Sequence, residues 1–135
     1  MNMIRHHNKH GQSLIEMALL LPVLLILSVV TFDLGRGIYY YSAIYNAARE
    51  GARYGIVNPN DIAGIENKAV GMAIGVKLNS DNITVTPNPP NVNINTVQVD
   101  IHYSFELVTP IARLVTQCKC GVITLQADST MYVER

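Results

Sequence analysis

Residues 14–32 read LIEMALLLPVLLILSVVTF, nineteen residues in which Glu16 is the one charge. At about 1.5 Å of rise per residue such a helix spans about 29 Å, close to the ~30 Å hydrocarbon core of a bilayer. Ahead of it, MNMIRHHNKHG holds Arg5, Lys9 and three histidines but no acid, and positively charged flanks stay on the cytoplasmic side. The asymmetry predicts a single pass through a membrane, with the N-terminus cytoplasmic and everything after Phe32 on the far side.

Three readings compete for this segment. A cleaved secretory signal would end in small residues, but here the run closes as Thr31-Phe32-Asp33-Leu34-Gly35-Arg36 without an A-x-A pattern. An uncleaved single-pass anchor displaying a small binding domain accounts for length and charge but leaves Gly11 and Glu16 as accidents. In the third, Gly11 ends a basic leader and Glu16 belongs to a mature N-terminus. A carboxylate within an apolar helix costs roughly 2.5 kcal/mol or more at mid-bilayer and less near the interface, so Glu16 is either an interfacial acid eased by the helix dipole or a group with a partner.

Composition removes several function classes. Of 135 residues 49% are hydrophobic and 15% charged, against roughly 25% charged in an ordinary soluble domain. Ten Lys and Arg balance ten Asp and Glu, so the basic excess of a nucleic-acid footprint is missing. With no Trp, four His and two Cys, a metal or redox enzyme would have few ligands. There is no Gly-rich phosphate loop, H-E-x-x-H or nucleophile elbow. The chain therefore reads as a non-enzyme without cofactor, metal site or evident small-molecule substrate.

Beyond the apolar run, DLGRGIYYYSAIYNAAREGARYG places Ile38, Tyr41, Tyr45, Ala48 and Ala52 at alternating steps of three and four, a helical stripe. No Pro or polar cluster separates it from the membrane run. One continuous helix is predicted from about Leu14 to Tyr54, ~60 Å long, kinked or short of one hydrogen bond at Pro22.

The blocks Gly11-Gln-Ser-Leu-Ile-Glu16, a Leu-rich span containing Pro22, Asp33-x-Gly35-Arg36 and Asn46-Ala-Ala-Arg-Glu-Gly-Ala-Arg-Tyr-Gly55 follow one another in order. Together they resemble the TadE-like family of pseudopilins, over about residues 10–55. The resemblance implies a minor pilin or pseudopilin of the tight-adherence (Flp, type IVc) pilus and secretion machinery. Its partners would be prepilin peptidase, other pilin subunits, the inner-membrane assembly platform and the membrane itself. It also implies cleavage between Gly11 and Gln12, and a stem motif of Asp33, Gly35, Arg36, Arg49, Glu50 and Arg53. Glu16 would set register between packed helices by meeting a neighbour's α-amino group, since an unpaired charge in lipid is costly. Here that amine would be on Gln12, which can cyclise and lose it.

The remaining features have plainer readings. His6, His7 and His10 are solvated leader residues. Five of seven tyrosines fall between Tyr39 and Tyr54 and suit an interfacial belt, head packing or a filament contact. Arg49 and Arg53 stand at i and i+4 and repel, which predicts a carboxylate from outside the helix, drawn from Asp100, Glu106 and Asp128. Asn82-Ile83-Thr84 is a chance sequon, and His102 a surface histidine.

From Ile56 onward the pattern changes. Asn58-Pro59 reads as N-cap and first position of a helix that carries Ile62, Ile65, Ala69, Met72 and Val76 on one face and ends at Asn79–Asn82. Ile83–Thr86 alternates like a strand, as do Val97–Leu107 and Ile123–Val133, with residues 87–95 a loop. The fold class is α+β and pilin-like: a long transmembrane and stem helix packed on a small head of one helix and a three-stranded antiparallel sheet. The divisions are a leader (1–11), the transmembrane and stem helix (12–55) and an extracytoplasmic head (56–135). A head of about 80 residues buries only about 60% of its unfolded surface, so Tyr45, Ala48 and Ala52 are expected to cover its sheet. Cys118 and Cys120, spaced C-x-C, are too few and too close for zinc and stay open between a strained disulfide and free thiols.

Overall fold

The computed structural model describes residues 9–86, 96–108 and 122–133. One helix, α1 (Lys9–Val57), runs the whole length of the membrane segment and stem and passes unbroken through Pro22. Proline has no N–H to offer the Ala18 carbonyl one turn below, and that single lost bond does not stop the helix. Ser28 and Thr31 turn their hydroxyls back onto the Leu24 and Leu27 carbonyls, each at 2.9 Å, so neither leaves a polar atom seeking a partner in lipid. From Gly11 to Phe32 every residue is exposed.

A second helix, α2 (Ile62–Met72), is followed by a single 3-10 turn at Ser80–Asn82 and strands β1 (Ile83–Thr86), β2 (Thr96–Glu106) and β3 (Val122–Tyr132). The sheet order is β1-β2-β3, antiparallel throughout, with Ile83 opposite Ile101 and Ala127 on the other side of Ile101. Period-two alternation sends Val97, Val99, Ile101 and Phe105 inward, and Gln98, Asp100, His102 and Glu106 to the wet face. Stem residues Ile44, Ala47, Ala48 and Ala52 lie in the same buried cluster as Ile65 and Ala69 of α2 and the inner row of the sheet. Stem and head therefore share one core.

Three expectations need correction. The buried stripe of the stem is Ile44, Ala47, Ala48, Gly51, Ala52 and Gly55, whereas Ile38, Tyr41 and Tyr45 are 61%, 48% and 42% exposed. Ala48 and Ala52 face the core as predicted, but Tyr45 does not cover the sheet. Small side chains let the helix lie close on a sheet and a second helix, and the bulky residues lower on the stem stay exposed at the edge of that face. The second correction concerns the start of α2. Its cap is Asp61, whose Oδ1 accepts from the Gly64 N–H at 3.0 Å, because α1 runs on to Val57 and Asn58 only turns the chain. Finally, α2 stops at Met72, so Val76 is buried from the turn beyond it, where Gly75 adopts a φ of +77°.

Candidate functional site: the junction of stem and head

Asp33 is one residue above the apolar run and is the one buried charged residue among the described residues, 4% exposed. Its Oδ1 accepts a hydrogen bond from the Val108 N–H at 3.3 Å, joining the foot of the stem to the chain just past β2. Arg36, one turn higher, sits with its guanidinium 3.6 Å from the same oxygen. The Arg36 Cζ also lies 5.7 Å from the centre of the Tyr40 ring and 5.4 Å from that of Phe105. Tyr40 in turn meets Phe105 and Tyr103 edge-on, at 5.5 and 5.7 Å between centroids. An ion pair with one solvated partner contributes little; the desolvated carboxylate and its backbone donor matter more. These groups seat the lower end of β2 on the stem at one height.

Asp33→Ala is expected to lower the stability of the head by about 1–3 kcal/mol, because the Val108 N–H loses its acceptor. Asp33→Asn retains an acceptor oxygen and should cost less. Urea titration of the full chain in detergent, followed by circular dichroism, measures both.

At the opposite end of the head the Tyr54 hydroxyl donates to Asp61 Oδ2 at 3.0 Å, tying the top of α1 to the cap of α2. The bond to the carboxylate, then its negative charge, then burial hold the Tyr54 phenol above its ordinary value of 10.0. Tyr39 makes a third tie, donating its hydroxyl to the Ile74 carbonyl at 3.2 Å.

The other residues singled out by sequence fall as follows. Gly11, Gln12 and Glu16 lie exposed on α1, the helix beginning below them. A Cβ at Gly35 would meet nothing within 4 Å, so the chain's own packing does not require glycine there. Arg53 pairs with Glu50 of its own helix at 3.8 Å and Arg49 lies over the Tyr45 ring at 6.0 Å, instead of meeting Asp100, Glu106 or Asp128. The reason is geometric: both arginines point away from the sheet. His102 is exposed on the outer sheet face opposite Gln126, and the Asn82 side chain accepts from the Asn79 N–H within a capping box. Cys118, Cys120, His6 and His7, and the His10 side chain, lie outside the described residues. Sequence reasoning missed Tyr40, Phe105 and Val108 as members of the junction; the aromatic pair Tyr103 and Phe105 on the inner row, together with the run of three tyrosines on the stem, was the available signal.

The α1 segment is long and apolar enough to cross a membrane, with none of its most hydropathic window covered by the chain. The family model described as TadE-like protein matches residues 11–53, from the foot of the membrane segment through the upper stem, and leaves α2 and the sheet outside. No curated protein and no solved structure matches the chain.

Proposed function

With the TadE-like segment at residues 11–53 as premise, we propose that the chain is a minor pilin or pseudopilin-like structural subunit. It serves assembly of a tight-adherence (Flp, type IVc) pilus or a related secretion apparatus. It enters the inner membrane as a single-pass protein with its head extracytoplasmic, loses residues 1–11 to prepilin peptidase, and packs laterally with other subunits on the assembly platform. Catalysis, cofactors and nucleic acid have no place in this role.

The observation that carries the reading is where the stem leaves apolar surface uncovered. Leu34, Ile38, Tyr41 and Tyr45, spaced four, three and four apart, form an exposed stripe at the edge of the buried face, in line with Ala48 and Ala52 higher on the stem. Tyr45 stands thirteen residues above Phe32, about 20 Å by helical rise, beyond the reach of lipid. A neighbouring stem that also emerges from the membrane covers such a stripe; a solitary anchor leaves it in water. Tyr41 and Tyr45, stacked at 6.4 Å, would present a flat aromatic surface to that neighbour.

Intact mass of protein extracted from membranes tests processing: the expected product lacks Met1–Gly11, and a retained leader supports the single-pass anchor instead. Glu16→Ala is expected to spare membrane insertion and abolish incorporation into the assembled structure, as read by fractionation and pilus yield. Normal assembly of that variant would remove Glu16 from the register role.

A further inference from the structure

The head has no linker to lift it off the bilayer. The apolar run ends at Phe32, and Asp33, about 1.5 Å further along the axis, is already bonded to Val108 of the head. The headgroup layer adds roughly 5–8 Å on each side of the hydrocarbon core, so this end of the head lies within it if the stem spans the membrane. Two exposed apolar side chains from separate elements stand there. Val108, 68% exposed, follows β2 at the level of Asp33. Ile74, 73% exposed, belongs to the turn after α2, and its carbonyl is held by Tyr39. The adjoining Gly75 shares a hollow with Thr31, Phe32, Gly35 and Arg36, which fixes the turn beside the last residues of the membrane run. Tyr39 reaches it because helical side chains lean toward the N-terminus, here toward the membrane.

From this placement we propose that the head is itself a membrane-surface element: Ile74 and Val108 insert into the interfacial layer of the lipid bilayer on either side of α1, so that the stem and head meet the membrane at three points instead of one. The occupant of this apolar underside is lipid, because Gly75 beside Ile74 shares a hollow with Phe32, and Val108 is bonded to Asp33 next to Phe32, the 74% exposed last residue of the membrane run. Three contacts fix the tilt of the stem and hold its exposed stripe at a set height, where a single helix would be free to rotate and lean. The proposal rests on the membrane-anchored reading above.

The chain contains no Trp, so single tryptophans report without background from others. Full-length Ile74→Trp, Val108→Trp, Leu25→Trp and Asn60→Trp variants are placed at high lipid excess in phosphatidylcholine vesicles, with and without bromine on the acyl chains, near the headgroup for Ile74→Trp, Val108→Trp and Asn60→Trp and near the chain ends for Leu25→Trp. Leu25→Trp reports the spanning segment and Asn60→Trp the far end of the head. Expected is a blue-shifted emission for Ile74→Trp and Val108→Trp that loses intensity in brominated lipid and resists aqueous iodide, with Asn60→Trp showing the reverse. If both junction variants behave like Asn60→Trp while Leu25→Trp is quenched by bromine, the inference is overturned and the anchor stands. Resistance to iodide without bromine quenching overturns it too, and assigns the cover to another subunit. If Leu25→Trp itself escapes bromine, the anchor reading falls and takes this inference with it.

Discussion

A fragment comprising residues 56–135 is expected to remain unfolded in water, whereas one beginning at Asp33 is expected to fold without detergent. The first lacks Ile44, Ala47, Ala48 and Ala52, all fully buried in the intact chain. Its sheet would expose the part of its inner row that the stem covers, including Val99 and Ile101. Loss of one buried Ile side chain costs about 2–5 kcal/mol, and a domain of about 80 residues has only about 4–12 kcal/mol in total at 0.05–0.15 per residue. Removing the whole stem face exceeds that margin. The longer fragment keeps the core and the Asp33 tie to Val108 while omitting the lipid-length run. Far-UV circular dichroism and amide exchange of the two fragments decide the matter. Protected amides in the shorter one would mean that the head folds independently, and the stem would then be a tether and not a part of the core.

The strands were legible because a sheet with one wet face repeats every two residues, and Val97 through Leu107 keep that alternation without interruption. The continuity of α1 was equally plain, since nothing between Phe32 and Tyr54 breaks a helix. The phase of the stem's buried face was harder to see. Large apolar residues mark Ile38, Tyr41 and Tyr45, but contact with a sheet and a second helix together selects for small ones, so the face follows Ala47, Ala48, Gly51 and Ala52. Hydrophobicity alone does not distinguish a side chain that packs within its own chain from one reserved for a neighbour. The start of α2 was misplaced for a related reason: Asn58 and Asp61 are both good caps, and only the end of α1 at Val57 decides between them. The i,i+4 repulsion of Arg49 and Arg53 points to acids from outside the helix, although Glu50 already lies one turn from Arg53 on the same helix. Asp33 could be placed at the membrane boundary from sequence, but its acceptor role toward Val108 depends on a contact across seventy-five residues.

Gly55→Val is expected to destabilise the head by about 2–4 kcal/mol, combining the 1–3 kcal/mol typical of overpacking with the poorer fit of a branched side chain. A Cβ at this position would stand 2.8 Å from Val97 Cγ1 and 3.1 Å from Ile65 Cδ1. Neither neighbour can give way easily. Val97 is held in β2 opposite Met131, and Ile65 is fully buried on α2. Gly55 is thus a point where stem, sheet and second helix crowd together, near the top of the core. Helix propensity acts in the opposite direction, since glycine within a helix costs up to about 1 kcal/mol relative to alanine. That makes Gly71→Ala the informative control: a Cβ on Gly71 of α2 meets nothing within 4 Å, so the propensity gain stands alone and stability should rise by a few tenths to about 1 kcal/mol. Gly55→Ala falls between the two, its steric cost partly offset by the same gain. Thermal or urea unfolding of the three variants in the fragment beginning at Asp33 gives the order Gly71→Ala, parent, Gly55→Ala, Gly55→Val from most to least stable. Equal stability of Gly55→Val and the parent would mean that the stem is not pressed against β2 at this height, and the shared core of stem and head would have to be redrawn.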